Sequence, residues 1–356
     1  MNGFLLSRKV NTKFKNHDRV LFFNTNFMYI LPIGYEIPSH IDYINKNNSL
    51  YYSDDSSLYE ILIRFQHIIV SETMNLTWYL NSEKYKKLKQ IQIWFITHGL
   101  TTLYDNDRLL VTFKGWKKAF LKNKKIKVLV CCNILYDILN QLCPNNKNQI
   151  IKINSLPQFY NNLNILKSVN HNDFEKTICI VSSILSDIEI DHIHLIVNTI
   201  NNLYKNTNIV IKIKSKYSLK AFDDLINVLK NKCKNITIDF FSPIVNFVSC
   251  KKIIVLSGGT SFFEILQYNN NTFIYPLYNI YYTEIPLDFK KLLIPSDVTE
   301  FEKYLKLSDN EKYFNDEYMI EKKNLFKFQM GTDKIVEDIS EINDIINCIS
   351  TSNKIK

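Results

Sequence analysis

At 356 residues, with 46% hydrophobic and 13% aromatic side chains, the chain is too long for one ordinary core and too apolar for a disordered one. It fits two domains of roughly 150 to 180 residues. The formal net charge of +9 comes almost wholly from lysine, since Arg8, Arg19, Arg64 and Arg108 are the arginines; with asparagine and isoleucine also abundant, it argues only weakly for nucleic acid.

No apolar run reaches the roughly 18 residues of a membrane span. Residues 1–9 hold too short an apolar core for a secretory signal, so the expectation is a cytoplasmic protein. The cysteines, Cys131, Cys132, Cys143, Cys179, Cys233, Cys250 and Cys348, sit mostly in apolar contexts and read as reduced, buried thiols. None forms a Cys-x-x-Cys pair, which argues against a cysteine zinc site.

In chain order, strand-like runs fall at residues 19–23, 67–71, 90–96, 126–132 and 149–153, then at 177–182, 208–213, 236–241, 252–256, 272–275 and 292–294. Helical segments separate them. Such alternation predicts α/β architecture with a parallel sheet in each half, helices on both faces and ligands at the carboxyl ends of the strands. Residues 24–57, with Pro32, Gly34, Pro38 and an Asp54-Asp55-Ser56-Ser57 tract, are expected to contain a long loop at the cleft. The Asn-rich segment 154–173 with Pro157 suggests a boundary near residue 170: one domain over 1–170, a second over 171–325. A terminal amphipathic helix within 326–356, built on Ile335, Val336, Ile339, Ile342, Ile345 and Ile346, is expected across the junction.

The run 252–256 leads into Ser257-Gly258-Gly259-Thr260-Ser261, which holds two of the seven glycines, and Phe263 and Leu266 then begin a helical period. Strand, small-residue turn and helix start gather backbone N–H groups where no Cβ blocks approach, a good seat for phosphate. Glu264 reads either as a ribose ligand facing a cleft or as a surface glutamate near a helix start.

In the first half, residues 92–96 end in Thr97-His98-Gly99. His98 at the carboxyl end of a parallel strand can take a proton from an acceptor hydroxyl, and Gly99 lets a substrate approach the backbone; alternatively His98 caps a loop. The lysines from Lys114 to Lys127, Lys117 and Lys118 among them, surround Trp116 and Phe120. They read as a grip on an anionic acceptor or membrane surface, or as a solvated helix face. Asp191-His192-Ile193-His194 falls in an apparent helix, 187–203, where the two imidazoles diverge, so no metal is expected there.

The order of these features resembles two-domain nucleotide-dependent transferases of the GT-B type, most of all the CDP-glycerol glycerophosphotransferase and capsule-polysaccharide transferase group. Thr97-His98-Gly99 looks like that group's Trp-His-Gly motif and Ser155-Leu156-Pro157-Gln158-Phe159 like its Gly-x-Pro-Arg turn. Ile211-Lys212-Ile213-Lys214-Ser215 stands in the place of Lys-x-His-Pro, with Lys214 and Ser215 replacing the last two residues. The segment from Ser257 to Glu264 is similar to the small-residue turn with its acid, and residues 271–278 to the strand that follows.

The resemblance covers residues 60 to 305 and implies two facing Rossmann-like domains. It further implies transfer of a sugar or polyol phosphate from a nucleotide-sugar or CDP-polyol donor to a glycan or lipid-linked acceptor in surface-polysaccharide synthesis, with peripheral membrane contact and no nucleic acid. On this reading Lys212, Lys214, Ser257, Gly258, Gly259, Thr260, Ser261 and Glu264 hold the donor and His98 is the base. Gly99, Lys117 and Lys118 lie on the acceptor side, and neither metal nor further cofactor is required. Two alternatives stand beside it. One is a UDP-sugar epimerase of the same fold, although those enzymes carry an acid where Leu256 stands; the other is a nucleotide- or glycan-binding protein without chemistry.

Overall fold

The computed structural model describes residues 2–5, 27–35, 37, 44–70, 88, 90–96, 117–121, 123–154, 174, 176–182, 187–213, 223, 225–227, 229, 235–240, 242, 244–256, 260–275, 298–310, 316–332, 344–345 and 347–348. The chain divides into two compact units, the first formed by 1–101, 105–163 and 328–356, the second by 102–104 and 164–327.

The first unit is built on strands β1 (Asn2–Leu5), β2 (Met28–Pro32), β3 (Ser49–Tyr52), β4 (His67–Val70), β5 (Gln92–Ile96), β6 (Ile126–Val130) and β7 (Ile150–Lys152). They form one sheet in the order β3-β2-β1-β4-β5-β6-β7. Every pairing is parallel. Strands buried on both faces lose the alternating pattern and become continuous apolar runs: Ile68, Ile69 and Val70, or Val128, Leu129 and Val130, are all at most 4% exposed. Central β1 is the exception, with Gly3 paired to both Met28 and Ile68. A Cβ at Gly3 would lie 3.0 Å from Ile30 Cδ1 and from the Phe65 ring, so any larger residue there would need both side chains to give way.

Within residues 24–57, where a long loop is expected, β2 and β3 take 28–32 and 49–52, and the segment joining them lies partly outside the described residues. The Asp54–Ser57 tract is a helix start: Asp54 Oδ1 accepts from the Ser56 and Ser57 amides at 2.9 and 2.8 Å, while Ser57 Oγ accepts from Asp54 N at 3.1 Å. This reciprocal cap opens α1 (Asp55–Leu62). These hydrogen bonds, the Ser57 amide first, hold the Asp54 carboxyl below its ordinary value. A second helix, α2 (Asn133–Leu142), joins β6 to β7.

The second unit carries β8 (Thr177–Ser182), β9 (Asn208–Ile213), β10 (Ile236–Asp239), β11 (Lys252–Val255) and β12 (Thr272–Ile274) in the order β10-β9-β8-β11-β12, again all parallel. Helix α3 (Asp187–Leu203) spans the residues its periodicity predicts. It lays Ile193, Ile196, Val197 and Ile200, a single i, i+3, i+4, i+7 stripe, over Ile178, Ile180, Ile209 and Ile211. Helices α4 (Thr260–Leu266) and α5 (Val298–Leu307) follow, the latter adding Phe301, Tyr304 and Leu305 to the same core.

Helix α6 (Asp316–Met330) begins in the second unit, where Tyr318 Oη donates to the Asn270 carbonyl and Lys322 Nζ to Asn270 Oδ1, both at 2.6 Å. It ends in the first. There Gly331 takes φ +86°, and a Cβ on it would lie 2.9 Å from Asn133 Oδ1. Lys152 Nζ donates to the carbonyls of Met330, Cys131 and Ile153 at 2.9, 2.8 and 3.1 Å, capping the helix with a cation. Of the helix expected within 326–356 on Ile335 to Ile346, the described residues 344–345 and 347–348 are helical, and α6 is a separate, earlier helix. Most of 334–350, the strands expected at 19–23 and 292–294, and the boundary at 170 lie outside the described residues.

Candidate functional site

Strand succession in the second sheet reverses between β8 and β11. Connections leaving these neighbours go opposite ways and open a crevice outside their carboxyl ends, where ligands of doubly wound sheets bind. Val255 pairs with Val181, and the Leu256 amide donates to the Val181 carbonyl at 2.9 Å, so the two strands finish side by side. From this edge the chain enters Ser257, Gly258 and Gly259 and resumes as α4 at Thr260. Those three residues, and the side chains of Thr260 and Ser261, lie outside the described residues. One turn into α4, Glu264 is 7% exposed, so it is a buried carboxyl and not a surface one; Phe262, Phe263, Ile265 and Leu266 around it are at most 1% exposed.

Two residues at this crevice escaped the sequence reading. Ser182, the last residue of β8, donates through Oγ to Glu189 Oε2 at 2.6 Å, and both side chains are buried. Glu189 lies in the first turn of α3, so the pair ties the strand end to the helix start across the intervening connection. A serine closing an apolar strand and an acid seven residues later were visible, but nothing in their spacing shows that they meet.

Lys212 is 1% exposed and pairs in register with Val181 and Asp239. Its Nζ lies 3.1 Å from Asp239 Oδ1, which also accepts from the Ser242 amide at 3.0 Å, while Asp239 Oδ2 accepts from Ser242 Oγ at 2.7 Å. The ammonium is therefore engaged inside the sheet and withdrawn from solvent. Beside it the Cys179 thiol is pushed well up, by burial first and then by neighbouring Cys250. Cys131, Cys132, Cys143, Cys179 and Cys250 are buried, whereas Cys348 is exposed. Lys214 lies outside the described residues.

In the first unit the sheet reverses between β1 and β4, and β5 is the next strand over. His98 and Gly99 follow the end of β5 at Ile96 but lie outside the described residues. Residues 117–121 are helical and lead into the amino end of β6, the edge opposite the carboxyl-end crevice, so exposed Lys117 and Lys118 stand away from it. Phe120 is drawn into the core at 1% exposure, and Leu121 takes the outward position at 74%.

His192 and His194 lie on α3, with His192 Nδ1 3.3 Å from Tyr275 Oη. Among the described residues no group of three or more His, Cys, Asp or Glu side chains is placed to hold a metal. Nor is any described helix long and apolar enough to cross a membrane.

No protein-family model matches the sequence, and no curated protein matches it. Solved structures do match in fold. The wall teichoic acid polymerase TagF, as a variant soaked with CDPG, is 10% identical with a TM-score of 0.57, covering 93% of this chain and 82% of that one. A glycosyltransferase from Rickettsia africae is 12% identical at a TM-score of 0.54, with 98% of each chain covered. The UDP-N-acetylglucosamine 2-epimerase from Rickettsia bellii is 11% identical at 0.53, covering 91% and 94%. A further match, to a longer chain, spans only 52% of that chain. With two doubly wound parallel sheets and these structural neighbours, the chain has a GT-B-type fold and resembles the transferases built on it.

Proposed function

We propose that the chain is a GT-B-type transferase that moves a sugar, or a polyol phosphate, from a nucleotide-activated donor to a hydroxyl of a glycan or lipid-linked acceptor in surface-polysaccharide synthesis. The observation that carries this reading is the β8/β11 reversal, where a doubly wound sheet binds its ligand and after which, in sequence, the chain runs through Gly258 and Gly259 to the start of α4. Backbone amides of residues 257–261 and the Lys214 ammonium neutralise the leaving phosphate as the bond to the donor breaks. Lys212, held by Asp239, supports that strand end from within, and Glu264 accepts from the ribose. His98 takes the acceptor proton as the acceptor oxygen bonds to the sugar carbon or to phosphorus, and Gly99 leaves room for the acceptor.

Epimerisation of a UDP-sugar is the second reading, since an epimerase shares the fold at a similar TM-score. Leu256 weighs against it: this residue, where the resemblance to epimerases expects an acid, is fully buried among Phe273, Tyr275 and Ile254.

A thermal-shift panel of UDP, CDP, GDP and CMP and their sugar or polyol conjugates tests the reading, because a ligand that binds only the folded chain raises its Tm. At least one should do so. Gly259→Val, placing a branched side chain among the amides, should weaken that ligand more than about tenfold, about 1.4 kcal/mol. A panel with no shift, or unchanged affinity in folded Gly259→Val, would overturn the site. Incubation with a UDP-sugar alone separates the readings, since only an epimerase turns over without an acceptor.

A further inference from the structure

The carboxyl ends of the second sheet finish in one cross-strand row. Ser182 pairs with Ile213, and Leu256 and Tyr275 come level with them, since the Leu256 amide donates to the Val181 carbonyl and the Tyr275 amide to the Val255 carbonyl, each at 2.9 Å. Side chains of such a row leave the sheet on one face, here the face that α3 covers: Ile213, Leu256 and Tyr275 pack with Ile193 and Ile196, and Ser182 bonds Glu189. Glu189 and His192, three residues apart, share one side of α3. Glu189 takes the Ser182 hydroxyl, and His192 Nδ1 lies 3.3 Å from Tyr275 Oη. The start of the helix is thus fastened on either side of Leu256, beside the β8/β11 reversal.

The contact with Tyr275 fixes the imidazole. Tyr275 is 1% exposed, with its ring edge-on to Phe301 at 5.0 Å and to His192 at 5.4 Å. Burial first, and then Glu302, push its phenol above its ordinary value, so it remains a hydroxyl. With that hydroxyl donating to Nδ1, a neutral imidazole carries its proton on Nε2. His192 itself is half-buried, and the hydrogen bond described for it occupies Nδ1, which leaves the Nε2–H as a donor. A ring held by a buried hydroxyl at the ligand-binding end of a parallel sheet is preorganised for a ligand oxygen.

We propose that His192 is a specificity-determining residue of the donor site, its Nε2–H donating to a hydroxyl oxygen of the sugar or polyol being transferred. The inference rests on the transfer reading of this crevice. Two observations favour such a hydroxyl over the phosphates or the ribose. Glu189 and Asp191 flank His192 in the first turns of α3 and repel an anion, whereas the first turn of α4 carries no acid. Phe262, Phe263, Ile265 and Leu266 of α4 are buried yet take no part in the cluster that α3 covers, so α4 belongs to the other face of the sheet. Glu264, the ribose ligand of the transfer reading, stands on that helix. The α3 face is left to the transferred group.

Calorimetric titration of the full chain tests it, with CDP, UDP, GDP and CMP each set beside a conjugate: CDP-glycerol, UDP-N-acetylglucosamine, GDP-mannose and CMP-sialic acid. His192→Asn keeps an amide for Tyr275 in the place of Nδ1 but has no group at Nε2. It should weaken the bound conjugate by about three- to tenfold and leave its bare nucleotide unchanged. His192→Gln, whose amide nitrogen reaches the place of Nε2 but not that of Nδ1, should recover most of the loss. A merely structural histidine would reverse that order, because only Asn keeps the Tyr275 contact. Equal losses for conjugate and bare nucleotide, or a His192→Asn variant that binds the conjugate as the parent does, would overturn the role of His192 and leave the donor site standing. Binding of none of the eight compounds would overturn the transfer reading, and this inference with it.

Discussion

Two lysines are sealed inside the second sheet, one near each end of its strands, and they do different work. Lys212, near the carboxyl end of β9, is 1% exposed and pairs with Asp239 at 3.1 Å; that carboxylate is itself fixed by Ser242. Lys252, at the amino end of β11, is 0% exposed and pairs at 3.1 Å with Asp309, a carboxylate 38% exposed. Asp309 is shared with Lys251, and its Oδ2 lies 2.8 Å from the Tyr204 hydroxyl.

Burial pulls the Lys252 ammonium below its ordinary value, and Asp309 only partly offsets it. Burial would raise the Asp309 carboxyl, yet Tyr204 and the two lysines outweigh it and leave it lowered. The amino-end cluster therefore fastens the turn after α5 to the sheet. The carboxyl-end pair stands beside the strand ends that border the crevice. A buried cation by itself says little about function; which edge of a parallel sheet it occupies says more.

Breaking each pair sharpens the contrast. Asp239→Asn leaves Lys212 charged and almost wholly buried, and should cost about 3 kcal/mol of stability in chemical denaturation. Lys212→Met combined with Asp239→Asn should recover much of that loss, because no uncompensated charge remains. If Lys212→Met abolishes a nucleotide-induced Tm shift that Lys252→Met preserves, the carboxyl-end lysine also serves the ligand; equal effects would make both purely structural.

Asp309→Asn should cost less, about 1 to 2 kcal/mol, since Lys252, though fully buried, keeps the Ser308 hydroxyl as a hydrogen-bond partner and the carboxylate it loses is better screened by water. It should leave nucleotide binding intact. Loss of binding in this variant would erase the distinction between the two edges.

A separate effect, confined to alkaline pH, concerns Lys322, whose ammonium is brought down from 10.5 to about 8 by burial. Between pH about 8 and about 10.5 the unfolded chain still holds this proton while the folded chain has lost it. Stability should therefore rise with pH across that window; below it the group adds no pH dependence, because the burial penalty on the charged ammonium is then present in full. Lys322→Met should flatten the rise, read as the difference between the two proteins' denaturation midpoints against pH. An identical pH profile in both would mean that Lys322 stays charged when folded.

The sequence was most informative where one element carries its own signal. The strands β8 and β9 and the whole of α3 have the limits their patterns predict, because a strand buried on both faces and a helix buried along one stripe each leave a period in the chain. The junction between β11 and α4 was legible for the same reason, as a local break between two apolar runs. β1 was not: four residues around Gly3 carry no strand period of their own and are identified as a strand by their parallel pairing with β2 and β4. The Asp54–Ser57 tract read as loop because polar residues serve loops and helix caps alike, and its hydrogen bonds decide between them.

Pairings across the sheet were invisible to any linear pattern. Ser182 meets Glu189, and Lys212 meets Asp239 across 27 residues, through strand order and register. Local periodicity, a property of each segment, could be read from the sequence; the company each charge keeps is set by topology and could be read only from the folded chain.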